Sequence, residues 1–266
     1  MAIFENRTRA RLNAGGVALG MGVQHLRTAA TPMLAKAAGY DWLFLDCEHG
    51  AFSIHEVTQI CLACLPTGVT PLVRVCADAL DEGTRALDNG AMGIVVPHVD
   101  TPEQARRIAD RFRFPPRGHR SWGGGIAQFG YQAPGMAQAQ AEIDAEILVI
   151  VMIESPEAVA NADAIAAVPG VDVLLVGTSD LSSEMGVAGE LGHPRVQEAY
   201  RTLADACRRH GKILGMGGVY DEQFAAKYMA LGARMVIAGS DQVFLMQGAG
   251  ARAKLLRSIE DRVSAG

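Results

Sequence analysis

The sequence predicts an α/β fold, a closed (β/α)₈ TIM barrel. Three observations carry that expectation. Eight short, nearly continuous apolar runs recur at 17–21, 42–45, 71–75, 93–96, 147–153, 171–176, 212–214 and 235–238, as expected of parallel strands covered on both faces. Amphipathic helical patterns alternate with them. The 266 residues match one barrel, which typically needs about 250, so 1–266 is read as a single domain. A doubly wound open sheet is the runner-up. It calls for a glycine-rich turn after the first strand, but Gly20-Met21-Gly22 is followed by His25 where the third glycine of G-x-G-x-x-G belongs.

Helical patterns fill 54–65, 102–112, 156–168, 194–210 and 221–231. Pro102, Pro156 and Pro194 mark helix entries. Ala38-Gly39, Asn89-Gly90 and Leu231-Gly232 mark helix ends before a strand. The longest irregular stretch, 114–132, is rich in proline and glycine, and a loop of that length is a candidate functional segment. The segment 241–263 reads as a terminal helix whose apolar stripe (Val243, Leu245, Leu255, Leu256, Ile259) caps its own barrel or packs on a neighbour.

Composition sets aside several classes. The net charge of −5 argues against a non-specific nucleic-acid binder. The mixed, charged stretch from Met1 to Arg11 has no apolar core of a signal peptide, and no run is long enough to span a bilayer. A soluble, cytoplasmic protein is expected. Five cysteines, an odd number, argue against a disulfide framework. Cys61-Leu62-Ala63-Cys64 lacks a second ligand pair for zinc and sits in an apolar helical pattern, so it reads as core packing.

In such a barrel the chemistry belongs at the carboxyl ends of the strands. The second run leads into Asp46-Cys47-Glu48-His49, the third ends near Arg74, the fifth at Glu154, and the sixth in Gly177-Thr178-Ser179-Asp180. The fourth offers only Pro97-His98, and the last two end in Gly215-Met216-Gly217-Gly218 and Gly239-Ser240-Asp241. Glu154 and Asp180 follow consecutive strands, so their carboxylates can converge, and two carboxylates without sulfur or nitrogen suit Mg²⁺ or Mn²⁺. A 2-oxo acid could complete that coordination. The alternative is a pair of helix N-caps. His49 could move protons near neutral pH or be an ordinary loop histidine. Arg74 could polarise a keto oxygen or pair structurally with Asp46 or Asp78. Amides of Gly177, Thr178 and Ser179 could bind a substrate carboxylate, and the glycines of the last two strand ends could form a phosphate site or tight turns. The only lysines are Lys36, Lys212, Lys227 and Lys254; none closes a strand, so a Schiff-base aldolase is disfavoured against a metal-assisted one.

Several motifs in order then resemble the HpcH/HpaI aldolase family of class II pyruvate aldolases. They are Tyr40-Asp41-Trp42-Leu43-Phe44-Leu45-Asp46-Cys47-Glu48-His49, Pro71-Leu72-Val73-Arg74, Leu87-Asp88-Asn89-Gly90-Ala91, Pro115-Pro116-Arg117-Gly118-His119-Arg120, Ile153-Glu154-Ser155 and Val176-Gly177-Thr178-Ser179-Asp180-Leu181-Ser182. The resemblance implies a phosphoenolpyruvate/pyruvate-type barrel with Glu154 and Asp180 as ligands of Mg²⁺ or Mn²⁺, with Co²⁺ as a further option. His49 would be the general base, acting through a metal-bound water, and Asp88 would pair with it across a subunit boundary. Arg74 would bind the keto oxygen, with Asp46 in the same polar network. A homo-hexamer, a trimer of dimers with exchanged C-terminal helices, is implied too. Met152 stands where many members have glutamine, Thr178 where proline is usual, and Trp122 with Gly123-Gly124-Gly125 makes an unusual loop on the aldehyde side. No role follows for Cys47. The expected activity is aldol cleavage and addition between pyruvate or hydroxypyruvate and an aldehyde. A citrate-lyase-β-like acyl-CoA lyase is the alternative, resting on the arginines from Arg111 to Arg120, and a non-catalytic binding barrel is the third reading.

Overall fold

In the computed structural model, which describes residues 2–124 and 126–264, eight parallel strands close into one barrel in chain order, the last pairing with the first. They are β1 (Ala18–Val23), β2 (Trp42–Asp46), β3 (Thr70–Arg74), β4 (Gly93–Val96), β5 (Leu148–Ile153), β6 (Val173–Gly177), β7 (Ile213–Gly217) and β8 (Ala233–Ser240). All eight expected strands are present, and the open sheet is ruled out by closure of β8 onto β1. Strand β7 runs to Gly217, past the expected end at 214. Its glycines weaken the strand signal but serve packing: a Cβ on Gly215 would lie 2.7 Å from Leu175 Cδ1.

Helix α1 (Arg7–Asn13) precedes the barrel. The connections carry α2 (Thr31–Ala37), α3 (Ile54–Thr67), α4 (Leu80–Asp88), α5 (Pro102–Phe112), α6 (Met136–Glu146), α7 (Pro156–Ala160), α8 (Ala162–Ala166), α9 (Thr178–Glu184), α10 (Pro194–His210) and α11 (Glu222–Leu231), and the chain ends in α12 (Asp241–Ser264). The pattern at 156–168 is two helices, broken at Asn161, whose side-chain amide donates to the Asp100 carbonyl at 2.8 Å. Capping boxes start α3 at Ser53 with Glu56 and α5 at Thr101 with Gln104. Cys61 and Cys64 are free thiols buried on α3 in the core, as packing requires.

Alternation along each strand sorts the side chains into two cores. Leu43, Leu45, Val73, Val149, Val151, Leu174 and Val176 face the helices. Trp42, Phe44, Leu72, Val95, Ile150, Met152, Leu175 and Ile237 fill the barrel itself. Trp42 plugs the barrel low down, its indole N–H donating to the Ala18 carbonyl at 3.2 Å, and Gly20 makes room for it: a Cβ there would lie 2.2 Å from the ring. Continuing the inward parity upward reaches Asp46 on β2, Arg74 on β3, Glu154 after β5, Gly177 on β6, Gly217 on β7 and Gly239 on β8. The barrel's own periodicity therefore assembles a polar layer over an apolar floor.

The long segment 114–132 does not cover that layer. It packs beside the carboxyl end of α4, where buried Gln128 donates to the carbonyls of Leu87 (2.6 Å) and Ala91 (2.8 Å). Helices return the chain from the carboxyl to the amino ends of the strands, so this loop and Asp88 lie at the opposite end of the barrel. Trp122 packs on Phe114 with ring centroids 5.7 Å apart. Among the described residues, the loop contributes none to this chain's own cavity mouth; its Gly123 lies against Asp88 instead. Gly125, the last of the three glycines, lies outside the described residues, as does Met1.

Candidate active site

At the carboxyl ends of the strands lies a cavity of about 270 Å³ whose lining includes Asp46, His49, Arg74, Glu154, Thr178, Ser179 and Asp180. Phe44, Met152 and Ile237 form its apolar floor, and Gly177, Gly217, Gly218 and Gly239 keep its rim open. Of the expected site residues, one chain brings together all but Asp88.

Arg74 is the buried cation of the site. Its Nε donates to Asp46 Oδ1 at 2.9 Å and its Nη2 to Asp46 Oδ2 at 2.7 Å, a two-pronged pair. Nη1 lies 2.9 Å from Glu48 Oε2, an ionic contact whose alignment falls short of a hydrogen bond, since that oxygen has no hydrogen-bond partner among the described residues. The guanidinium also sits 5.0 Å from the Phe44 ring centre. Burial pushes Asp46 up, but Arg74, with help from Gln24 and the His49 amide, outweighs it and holds the carboxyl below its ordinary value. The structural pairing with Asp46 is thus present, and that with Asp78 is not among the contacts of Arg74. Pairing and cavity lining coexist in one residue.

Glu154 is 2% exposed. The His98 amide donates to its Oε2 at 2.8 Å, and His98 Nδ1 lies 3.5 Å from the same oxygen. Burial pushes the Glu154 carboxyl above its ordinary value, and the nearby negative charge of Asp180 adds to that. Neither acid is a helix N-cap: Ser155 caps α7, and Asp180 lies in the first turn of α9 behind Gly177. Gly177 is the cradle for Glu154, because a Cβ there would lie 2.3 Å from Oε1. Among the described residues no group of three or more His, Cys, Asp and Glu is gathered to hold a metal ion. A two-carboxylate half-shell fits instead: one buried, up-shifted acid and one exposed acid on a shared cavity wall, all oxygen donors, suited to a hard divalent cation.

His49 is 61% exposed at the mouth, its Nε2 3.8 Å from Glu48 Oε2. His98, named at the fourth strand end in the sequence but given no role there, contacts Glu48 at 3.7 Å through Nε2 and so lies between Glu48 and Glu154. Its φ of +54° is what turns its amide onto Glu154, and no pattern in the sequence announces such a backbone. Gln24 was also missed. It donates to Asp46 Oδ2 at 2.9 Å and is held by Asp241, whose carboxylate accepts the amides of Gln24, His25 and Leu26. Inward parity on β1 was the available signal. Asp241 therefore anchors a loop rather than contributing to a phosphate site.

Thr178 is fully buried, its hydroxyl donating to the Gly217 carbonyl at 2.6 Å and lying 2.7 Å from the Tyr200 hydroxyl. Only its backbone is left for a ligand. Cys47 is pushed up to about 12 by burial and nearby carboxylates, so it stays a neutral thiol. Lys212 donates to the carbonyls of Val168 and Val171 at the amino ends of the strands, away from the cavity. Two of the arginines that favoured a nucleotide-binding surface are engaged elsewhere. Arg113 is buried against the carbonyls of Gly170 and Asp144 and the carboxylate of Asp172, and Arg120 is buried on Asp88.

Residues 25–247 match the model of a family described as HpcH/HpaI aldolase/citrate lyase. The chain is 37% identical over 267 aligned positions to a 4-hydroxy-4-methyl-2-oxoglutarate aldolase of Hapsidospora irregularis, covering 98% of each chain. It is 32% identical to a 2-keto-3-deoxy-L-rhamnonate aldolase of Salmonella gallinarum, covering 97% of this chain and 96% of that one. The crystal structure of an HpcH/HpaI aldolase from Desulfitobacterium hafniense superposes with a TM-score of 0.89 at 28% identity, covering 96% of this chain and 97% of the other.

Proposed function

The chain belongs to the HpcH/HpaI aldolase/citrate lyase family, and from that premise we propose that it is a divalent-metal-dependent aldolase acting on a pyruvate-type 2-oxo acid and an aldehyde. It is a carbon–carbon lyase, like its aldolase relatives. The observation that carries the reading is the convergence of Asp46, Arg74, Glu154 and Asp180 on one cavity.

Glu154 and Asp180 hold the cation, Mg²⁺ or Mn²⁺, with Co²⁺ as a further candidate. When bound, that cation supplies Lewis-acid charge to the keto oxygen of the donor. Arg74 adds a second positive charge at the same oxygen, and Asp46 and Glu48 hold its guanidinium in place. Backbone amides of Gly177, Thr178 and Ser179 face the donor carboxylate. In cleavage, His49 accepts the proton of the C4 hydroxyl, the C3–C4 bond breaks, and its electron pair moves into the C2–C3 enolate while the aldehyde leaves. Protonation at C3 then gives the 2-oxo acid. Desolvation over the floor of Phe44, Met152 and Ile237 strengthens each of these charge contacts.

Asp88 completes the site from a second copy of the chain. It lies at the other end of the barrel from His49, so only another subunit can bring the two together. The unpartnered apolar face of α12 supports a homo-oligomer: Leu245 is 68%, Met246 66% and Val263 76% exposed. A trimer of dimers with exchanged α12 helices is the assembly proposed. No helix among the described residues is long and apolar enough to cross a membrane, and five free cysteines suit a reducing compartment such as the cytoplasm.

The test is deuterium exchange into the methyl group of pyruvate, followed by ¹H NMR in D₂O with Mg²⁺ or Mn²⁺. Exchange that stops with EDTA and in Glu154→Ala supports the reading. If neither pyruvate nor hydroxypyruvate exchanges under any of these metals, the proposal fails.

A further inference from the structure

Arg120 has an environment that packing alone does not account for. Its side chain is 1% exposed, and Nη2 donates to Asp88 Oδ1 at 2.8 Å. Its guanidinium carbon lies 4.6 Å from the Phe114 ring centre. Nε and Nη1 are also buried, and among the described residues neither has a hydrogen-bond partner. A buried cation with two unmatched donors is a costly group to keep unless its one partner matters. Burial pushes its pKa down, opposed first by Asp88. Asp144 on α6 is the other carboxylate acting on it, and Asp144 already accepts the Phe114 amide and answers to Arg113 and Arg117.

Asp88 is shaped by the same cluster. It is the last residue of α4 and its side chain is 34% exposed. Oδ1 is taken by Arg120. Oδ2 lies against Gly123, where a Cβ would come within 2.8 Å. The loop thus leaves space for the carboxylate, with a buried cation on one oxygen and, among the described residues, no hydrogen-bond partner on the other.

We propose that Arg120 is a positioning residue for the aldolase reaction, holding Asp88 so that Oδ2 is presented to the His49 imidazole of a neighbouring copy. This rests on the reading that Asp88 serves His49 of a second subunit. Arg120 touches no substrate. Its charge also draws on the carboxylate, so Asp88 supports the imidazolium less strongly than a free aspartate would. The charged groups around His49 in its own chain are Glu48, Asp46, Arg74 and His98; around Arg120 they are Asp88 and Asp144.

The experiment measures metal-dependent pyruvate deuterium exchange against pH for the full-length oligomer, together with the Tm shift on adding Mn²⁺. Asp88→Asn is expected to lower exchange about tenfold or more and to move the lower pKa of the profile down, whereas Arg120→Gln lowers the rate and moves that pKa up. The double variant is expected to be no slower than Asp88→Asn alone, because the pair acts as one unit. The Mn²⁺ shift persists in every variant, since Glu154 and Asp180 are untouched. A purely structural Arg120 would lower Tm and leave the profile in place, which overturns the proposal. Should Arg120→Gln fail to fold, Arg120→Lys decides: it keeps the charge but not the geometry, and a parental rate would overturn the proposal. If Asp88→Asn exchanges at the parental rate, the underlying reading of Asp88 has failed. If it is slow while Arg120→Gln is parental, only the role of Arg120 has.

Discussion

Asp46 accepts both Nε and Nη2 of Arg74, at 2.9 and 2.7 Å, on the inner wall of the barrel. The pair fixes the plane of the guanidinium as well as its charge. Arg74→Lys keeps the charge and loses the plane, so steady-state cleavage is expected to fall roughly 10²-fold in kcat, as for an angstrom-scale misplacement. Asp46→Asn leaves Arg74 with Glu48 as its carboxylate neighbour, so it is expected to cost less than the about 3–5 kcal/mol of a buried charge stripped of its partner. Asp46 is held below its ordinary value in the folded state. A depressed carboxylate contributes stability above its unfolded pKa and loses it as pH falls through the folded one. The acid limb of a Tm-against-pH curve is therefore expected to flatten in Asp46→Asn.

Gly177 and Glu154 are joined by space rather than by a bond. With a Cβ 2.3 Å from Glu154 Oε1, Gly177→Ala must displace the carboxylate. Its φ of −84° is open to alanine, so the fold should survive. The expected result is a folded protein by circular dichroism whose Tm no longer responds to Mn²⁺. A full metal response in this variant would show that Glu154 is not a ligand.

Much of this site was legible because barrel strands alternate. Once 42–45, 71–75 and 147–153 are read as strands, Asp46, Arg74 and Glu154 fall at their carboxyl ends by counting alone. Gln24, the next inward position after Gly22, could have been counted too; the contact with Asp46 depends on a loop tied to Asp241, far along the chain. His98 is what counting cannot see, because it reaches Glu154 through a left-handed backbone. Thr178 sits at the right strand end yet turns its hydroxyl to Gly217 and Tyr200. Trp122 and its glycines suggested an aldehyde-side loop; a return helix carries them beside Asp88, at the end of the barrel opposite this chain's own cavity, and only tertiary contacts reveal that.

The lysine inventory makes a chemical prediction. Lys36 lies in the last turn of α2, Lys227 bonds Gln197, Lys254 lies on α12, and Lys212 is held at the amino ends of the strands. None lines the cavity. Borohydride with pyruvate, which traps Schiff bases on lysine, is expected to leave the activity intact and to add no mass by mass spectrometry.

Metal binding should couple to pH through Glu154. Burial holds this carboxyl above its ordinary value of 4.5, so the metal-free protein binds more protons at Glu154 folded than unfolded. Its contribution is therefore present at low pH and is lost as pH rises from 4.5 through the raised value. A cation that favours the ionised form reverses this. At a hundredfold excess over Kd, bound metal adds about 2.7 kcal/mol, a rise of roughly 5–10 °C in Tm for a chain of this size. The rise is expected to grow with pH across the window and to vanish in Glu154→Gln, as read by differential scanning calorimetry with and without EDTA.

The carboxyl-terminal helix separates what one chain does alone from what it does in an assembly. Asp241 begins α12 and anchors the loop that carries Gln24, so a truncation must keep it. Truncation after Phe244, which packs on the rim residue Gly239, deletes the exposed Leu245, Met246, Leu255 and Leu256, none of which lines the cavity. Light scattering is expected to show loss of the oligomer. Glu154 and Asp180 come from the same barrel, so the Mn²⁺-dependent rise in Tm should persist. His49 would then lack the Asp88 of a neighbour, and pyruvate exchange should fall about as far as in Asp88→Asn. Full exchange by a truncated monomer would mean that one barrel suffices, and that Asp88 and its loop serve the fold rather than the reaction.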